Sequence, residues 1–486
     1  MTTGTPTDGN EGAQSPDEGT AVGTADENAD EAVRTDKAEK AVKTAKTAKT
    51  AKAEKAEKAD ENPAPEDGAT SGNQGAAPGA VTAVDPRLLV RQEGFKGYAN
   101  DLLRRLRTGE LGSIPVIVGL IVIAIVFQLQ DSAFLSANNL SDLFIQSAGT
   151  GLIAVGIVFV LILGEIDLSV GSVSGMSAAV LAVLNINHGM NEVLALVLAI
   201  LTGMAAGAVH GFFFARIGVP AFVVTLAGLL GWNGLMLQIL GPSGTINLDD
   251  DGVVAQLTNH YFADKAAAMG LATVCVLAFL GLSLLDARRR KAVGVPSRPL
   301  SEIVLRTVVL AVPAYAAAFV FNSYKGLPLA VVIFIGVVVI GDFVLRRTSY
   351  GRKVFAVGGS SEAAGRAGIN VPMIRITVYS LAGTMAAIGG MFFASQINAA
   401  NQSSGAGSLL MNCIAAAVIG GTSLFGGRGK TWSALLGALV IQSINSGMAL
   451  LGTGSAVRDM ITGAVLLAAV VIDSVSRRTQ KTAGRA

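Results

Sequence analysis

From about residue 113 to near the C-terminus, apolar stretches follow one another with only short polar interruptions. Each is roughly 17–25 residues long, the length at which a helix crosses the hydrocarbon core of a bilayer. They fall near 113–129, 142–163, 168–186, 192–215, 220–240, 266–285, 303–321, 327–345, 376–397, 408–426, 431–451 and 458–475. Lipid offers backbone amides no hydrogen-bond partners, so a chain of this kind has few structural options. Runs of this length satisfy their backbone as helices, which predicts an all-α polytopic membrane protein of about 10–12 transmembrane helices with broken or re-entrant segments. The stretches around 165 and 425 are interrupted by glycine and polar residues. Ten crossings plus re-entrant segments is therefore the alternative to twelve.

The composition agrees. Only 15% of residues are charged and 51% are hydrophobic, against about 25% charged in a soluble globular chain. The two cysteines, Cys275 and Cys413, both lie inside apolar stretches, which excludes a disulfide framework and reads as packing. Residues 1–110 form a separate region with the composition of a disordered cytoplasmic tail. That tail starts acidic and then carries a lysine at every third position from Lys37 to Lys58. A period of three winds around a 3.6-residue helix rather than marking one face, so the run reads as a solvated low-complexity segment or a weak attraction for anionic lipid head groups. No short apolar core follows a basic start, so the tail does not read as a signal peptide. The membrane domain is expected over 111–478, with a short cytoplasmic tail at 479–486.

Charge asymmetry orients the domain. Arg104, Arg105 and Arg107 precede the first stretch, and alternation then places Arg216, Arg288–Lys291 with Arg298, Arg346 and Arg347, Arg428 with Lys430, and Arg477 and Arg478 on the same side. The opposite loops carry Asp249–Asp251 and the neutral segment 398–408, with Lys325 and Arg458 as exceptions. The bias puts both termini in the cytoplasm.

Gly203, Gly207 and Gly211, and then Gly228, Gly231 and Gly234, are small-residue stripes that let helix backbones approach closely. Gly164-Glu-Ile-Asp-Leu-Ser-Val-Gly171 places two carboxylates between two apolar runs. On a helix Glu165 and Asp167 would point about 200° apart, so they do not form a joint acid–base or metal pair. The segment is either a turn in which Asp167 or Ser169 caps the next helix or a broken helix lining a pathway. Thr225, Asn233, Gln396 and Asn412 are further polar groups inside apolar stretches and join Glu165, Asp167 and Ser169 as pathway candidates. Between two apolar stretches lies the polar segment Phe355–Val371, flanked by Arg346, Arg347, Arg352, Lys353 and Arg375. A patterned segment on the basic side reads as a docking surface for a soluble partner. Gly429-Lys430-Thr431 mimics the end of a phosphate-binding loop, but Leu424 stands where its first glycine belongs and no strand precedes it. This chain is therefore not expected to hydrolyse ATP itself. His188 and His260 fall in loops, His210 stands alone on a glycine-rich helix, and no metal-ligand spacing occurs.

Four motifs together resemble the monosaccharide permeases of bacterial ATP-binding cassette importers, most closely the xylose permease branch. They are Gly164–Gly171, Val219-Pro-Ala-Phe-Val-Val-Thr-Leu-Ala-Gly228, Gly358-Gly-Ser-Ser-Glu-Ala-Ala364 with Gly368-Ile-Asn-Val371, and Ala415-Ala-Ala-Val-Ile-Gly-Gly-Thr-Ser-Leu-Phe-Gly-Gly427. The additional apolar hairpin of that branch has a counterpart at about 266–321. The resemblance covers roughly 113–478 and implies a non-enzymatic subunit, with no cofactor bound by this chain and ATP consumed by a partner. Implied partners are a cytoplasmic ATP-binding subunit, an extracytoplasmic sugar-binding protein, a second permease copy and the lipid bilayer, with no nucleic acid. It also implies that Gly358, Gly359, Glu362, Ala363, Ala364, Gly368 and Asn370 form the coupling element to the ATP-binding subunit.

The chain departs from that pattern in places. Leu409-Leu-Met-Asn412 replaces an acidic-Leu-Asp run, Ser360-Ser361 stands where Asn commonly follows the glycines, and Gly365-Arg366-Ala367 replaces Ala-Arg-Leu-Ser. Ser455–Asp459 replaces an aromatic-rich run. Other pentoses, hexoses and polyols therefore stand beside xylose. An ion-coupled secondary sugar transporter using Glu165 or Asp167 is the alternative class. It has no need of the coupling-like segment and would lack acidic groups for a relay.

Overall fold

The computed structural model describes residues 114–295 and 297–482. The expected 1–110 tail, and residues 483–486 of the C-terminal one, lie outside the described residues. Every stretch expected to span meets a helix. They are α1 (Ile114–Gln130), α2 (Ala137–Leu163), α3 (Val170–Ala182), α4 (Glu192–Phe212) and α5 (Ala221–Leu240). After the short α6 (Val253–Asn259) come α7 (Lys265–Ala292), α8 (Leu300–Asn322) and α9 (Leu329–Arg347). The polar segment forms α10 (Ser349–Gly359) and α11 (Ser361–Arg366), followed by α12 (Val371–Ile397), α13 (Leu409–Ile419), α14 (Thr431–Leu450) and α15 (Ser455–Thr482). One π-helical turn extends α3 to Asn187 and another extends α4 to Ile217. Among the described residues nine helices are long and apolar enough to cross a membrane.

The α2 helix is the axis of the bundle: nearly all its residues from Ile145 to Leu163 are buried. Packed on it are α12, α14, α13 and α9, and α12 in turn packs extensively on α4. The glycine stripe explains that last pairing. A Cβ at Gly203 would lie 2.6 Å from the Gly383 carbonyl oxygen, one at Gly207 would lie 2.1 Å from that of Tyr379, and one at Gly211 would meet Ile376 Cα at 2.6 Å. Only glycine lets the two backbones come this close where no hydrophobic effect drives helices together. The second stripe does not behave alike. Gly228 faces the His210 ring, but Gly231 and Gly234 have no neighbour within 4 Å, because that face of α5 points out of the chain.

Sparse polar contacts tie the axis together. Gln442 on α14 donates to Thr150 Oγ1 on α2 at 3.0 Å, and the buried Thr431 hydroxyl donates to the Val338 carbonyl on α9 at 2.8 Å. The lysine-threonine decoy therefore ends on a structural bond, and the helix α13 precedes it rather than a strand.

One correction and one refinement concern the ends of the bundle. The stretch 408–426 is not one full helix: α13 is 11 residues long and gives way to glycine-rich turns. The segment 398–408 is the expected loop, but it is anchored to the bundle at two points. After β2 (Ala399–Asn401), which pairs antiparallel with β1 (Thr245–Asn247), the chain passes beside α3. The Gly405 carbonyl comes 2.5 Å from a Cβ built on Gly171, and that of Ser404 comes 2.0 Å from one built on Gly175. Only Ser404 and Gly405 touch α3 so closely; Gln402, Ser403 and residues 406–408 are exposed.

The α7–α8 hairpin forms its own small cluster. Ala268, Ala272, Ala318 and Phe321 pack with Leu327 and Val331, while Phe144 of α2 meets Phe321 edge-on at 5.2 Å. The tip of this hairpin carries exposed Arg288, Arg289 and Lys291.

Candidate functional site

Two neighbouring features stand out at the end of the bundle that carries most of the arginines. The first is the α10–α11 elbow. Thr348 caps α10 by accepting from Gly351 N at 3.2 Å, and Gly351, Val354 and Val357 turn inward. At its end Gly358 seats directly on the last turn of α2: a Cβ there would lie 1.8 Å from the Ile162 carbonyl oxygen. That same carbonyl accepts from Gly427 N at 2.8 Å. Gly164, Gly358, Gly426 and Gly427 thus form a joint of bare backbone between α2, the elbow and the turn before α14.

Ser360 then breaks the helix and caps α11, accepting from Ala363 N at 3.2 Å. Ala364 is the buried anchor of α11, while Glu362, Ala363, Gly365, Arg366 and Ala367 face outward. Arg366 donates to Glu362 at 2.6 Å across one turn. Gly368, at φ +80°, ends α11 in the left-handed region, and Asn370 caps α12 by accepting from Met373 N at 3.1 Å. Of the residues singled out in the sequence, Gly359, Glu362 and Ala363 lie at the surface; Gly358, Ala364, Gly368 and Asn370 hold the elbow in shape. Gly365, Arg366 and Ala367 share the outward face, but the sequence marks them only as a departure from the family pattern, because no helical period in so short a segment shows which residues face outward.

The second feature is the break between α2 and α3. Gly164 ends α2 at φ +85°, and residues 166–168 make no helical backbone bond, while Ser169 O accepts the first bond of α3 from Val173 N at 2.9 Å. The two carboxylates are therefore not helical neighbours. Glu165 is half-buried; burial raises its carboxyl above the ordinary range, and the charge of Arg375 on α12 opposes that. Arg375 is held over the Phe214 ring at 4.4 Å. Asp167 is buried and accepts from Ser169 N at 2.8 Å and from Ser169 Oγ at 2.5 Å. Ser169 begins α3 but its hydroxyl does not cap it; it reaches His210 Nδ1 at 3.2 Å instead. On the far side of the ring, Trp232 Nε1 of α5 donates to His210 Nε2 at 2.7 Å.

His210 is therefore not alone. It is the centre of a buried chain joining the break to α4 and α5. The spacing rules that search for metal ligands passed over it. An imidazole within an apolar helix was itself a signal, because ionisable groups at such depth rarely lack a partner.

The other pathway candidates are dispersed. Thr225 is buried and spends its hydroxyl on the Ala221 carbonyl of its own helix at 3.0 Å. Asn233 is half-buried on α5. Gln396 Nε2 on α12 and Asn412 Oδ1 on α13 are buried without a hydrogen-bond partner among the described residues. None of these four belongs to the Asp167–Ser169–His210–Trp232 chain.

A model of the family described as branched-chain amino acid transport system / permease component matches residues 139–470. The chain belongs to this permease family. It is similar to the xylose transport system permease protein XylH of Escherichia coli (strain K12), with 35% identity over 374 residues, covering 77% of this chain and 94% of that one. XylH of Haemophilus influenzae (strain ATCC 51907 / DSM 11121 / KW20 / Rd) is 33% identical over 370 residues, covering 75% and 98%. The ribose import permease protein RbsC of Bacillus subtilis (strain 168) is 29% identical over 365 residues, covering 75% and 94%. No solved structure matches. In this permease the matched region runs from the start of α2 into α15 and contains both the elbow and the broken segment.

Proposed function

We propose that this permease is the membrane-spanning subunit of an ATP-driven importer of a monosaccharide, xylose or a sugar close to it. The family description names branched-chain amino acids, but the similar relatives reported above are permeases for xylose and ribose. That favours a sugar. The observation that carries the ATP-driven part is the elbow: a small rigid α11 with an outward polar face, seated backbone-to-backbone on the axial helix.

In this reading the arginine-rich end faces the cytoplasm and an ATP-binding subunit docks on Glu362, Ala363 and Arg366. A sugar-binding protein delivers substrate at the opposite end, and a second copy of the permease completes the pathway. Closure of the ATP-binding subunits would push α11, and α12, capped by Asn370, would carry the motion into the core as a rigid body. Such a push shifts the bundle only because the partner binds the two states with different affinity. Glu165, Asp167 and Ser169, with Gln396 and Asn412, are the polar groups proposed along the pathway.

Purification of the full chain from its native membrane tests this. An ATPase subunit that co-purifies, and whose turnover rises with a sugar-loaded binding protein, supports the importer. Uptake should then vanish on ATP depletion and survive an uncoupler. A chain that purifies alone and moves sugar down an ion gradient in liposomes overturns the reading.

A further inference from the structure

The break between α2 and α3 is held differently on its two sides. On the α2 side, Gly164 sits in the glycine joint with Gly358, Gly426 and Gly427, so this side belongs with the elbow. On the α3 side, Asp167 and Ser169 are tied through His210 to Trp232, so that side belongs with α4 and α5. Only Glu165 and Ile166 lie between the two attachments, and Ile166 is exposed.

The second attachment has a fixed direction. The indole N–H of Trp232 can only donate, so His210 Nε2 must accept and carries no proton. The neutral ring then has its proton on Nδ1 and donates it to Ser169 Oγ. The Ser169 hydroxyl proton is left for Asp167 Oδ1. Each donor in this buried chain faces an acceptor, with Ser169 serving as both, and removing His210 strands the Trp232 N–H and leaves Ser169 without its second partner. The pocket for the ring is cut to size: a Cβ at Gly228 would lie 2.2 Å from His210 Nε2.

We infer that His210 is a positioning residue of the transport cycle, its Nδ1–H clamping the α3 side of the break to α4 while the α2 side follows the elbow; Trp232 acts by fixing which ring nitrogen carries the proton. This deepens the importer reading and rests on it. The short segment Glu165–Ile166 is then where the two bodies part. With the clamp intact, a push on the elbow becomes relative motion across the break; with the clamp lost, the break follows the elbow and the push dissipates.

The test uses the full-length permease lacking Cys275 and Cys413, with a single cysteine at Ile166→Cys, in native membrane vesicles. Maleimide labelling of that cysteine reports on the break and needs neither ATP nor sugar. His210→Leu removes both links. His210→Gln keeps a group at the Nε2 position but loses the donor to Ser169, and His210→Asn keeps a donor at the Nδ1 position but loses Trp232. Thr202→Val, elsewhere on α4, is the control. We expect labelling to rise about tenfold in His210→Leu and His210→Gln and to stay within about twofold of the parent in His210→Asn and Thr202→Val. In the reconstituted complex, sugar moved per ATP should fall in the same order while basal ATP turnover persists. If His210→Leu fails to fold, the Asn and Gln variants still decide. Equal labelling in those two, or an unchanged sugar-to-ATP ratio in His210→Gln, overturns the inference. If the parent complex shows no ATP-dependent uptake at all, the importer reading fails instead, and the labelling arm still judges the clamp.

Discussion

Adjacent glycines in the elbow give a sharp test, because the structure treats them in opposite ways. A Cβ at Gly358 would lie 1.8 Å from the Ile162 carbonyl oxygen, 2.8 Å from its carbon and 3.1 Å from Gly427 N. Those neighbours are backbone, so alanine fits only if the elbow or the end of α2 retreats by roughly 1 Å or more, an overpacking cost of about 1–3 kcal/mol. The retreat also strains the 2.8 Å bond from Gly427 N to Ile162 O, whose loss costs about 0.5–1.5 kcal/mol. Exchange of glycine for alanine within a helix returns about 0.5–1 kcal/mol. Gly358→Ala should therefore unseat the elbow by a net cost of about 0.5–4 kcal/mol, centred on about 2 kcal/mol or roughly thirtyfold in the seated population. Gly359 has no atom within 4 Å of its Cβ position, so Gly359→Ala keeps only the small helical gain. The assay is sugar uptake normalised to permease in the membrane, together with retention of the ATP-binding subunit on purification. We expect uptake to fall tenfold or more in Gly358→Ala and to remain within about twofold in Gly359→Ala. Wild-type uptake in the first, or equal damage in the second, would refute the idea that seating by backbone contact is what Gly358 contributes.

The remaining predictions are simpler. Glu362 and Arg366 are both largely exposed, so their ion pair contributes at most about 0.5 kcal/mol; Glu362→Gln should leave the thermal midpoint unchanged yet reduce uptake several-fold, and unchanged uptake would remove Glu362 from the docking face. Gly207→Ala should destabilise the permease in detergent by about 1–3 kcal/mol, because its Cβ would meet the Tyr379 carbonyl at 2.1 Å. Gly231→Ala, with open space around it, should be silent in the same thermal-unfolding assay. In a background lacking both native cysteines, Asp250→Cys should react with an impermeant maleimide in intact cells and Arg289→Cys only after permeabilisation; the reverse pattern would invert the proposed orientation.

Much of this architecture was legible because membrane helices are written in length and hydropathy, which are local properties. Each expected span meets a helix, and the Gly203–Gly207–Gly211 stripe meets a backbone as its spacing implied. The first error depends on which face of a helix has a neighbour. Gly231 and Gly234 follow Gly228 at a three-residue rather than a four-residue spacing, and point away from the chain. The 408–426 stretch has the apolar content of a span, yet only Leu409–Ile419 is helical and the rest turns at Gly420, Gly421, Gly426 and Gly427. Lys325, an exception to the charge asymmetry, is explained only in three dimensions. Its ammonium lies 5.3 Å from the Tyr261 ring and 5.2 Å from that of Tyr324, which hold the cation at the end of the bundle opposite the arginines.

The buried chain shows the same limit and what lies beyond it. Ser169 and His210 are separated by 41 positions, and His210 and Trp232 by 22, so no local period relates them. What the sequence did contain was cost: an aspartate and a histidine placed in apolar surroundings demand partners. Taking that demand as a pairing constraint asks for a polar partner for each, which the structure supplies through the shared Ser169 hydroxyl. The elbow and the break were likewise read as separate motifs, but the glycine joint makes them one object. Gly358 rests on the carbonyl of Ile162, two residues before the Gly164 turn that opens the break. In the proposed cycle a force applied at Glu362 would reach the α2 side of the break, up to Glu165, through backbone contacts at a single joint. Substitutions there should disturb coupling before they disturb folding.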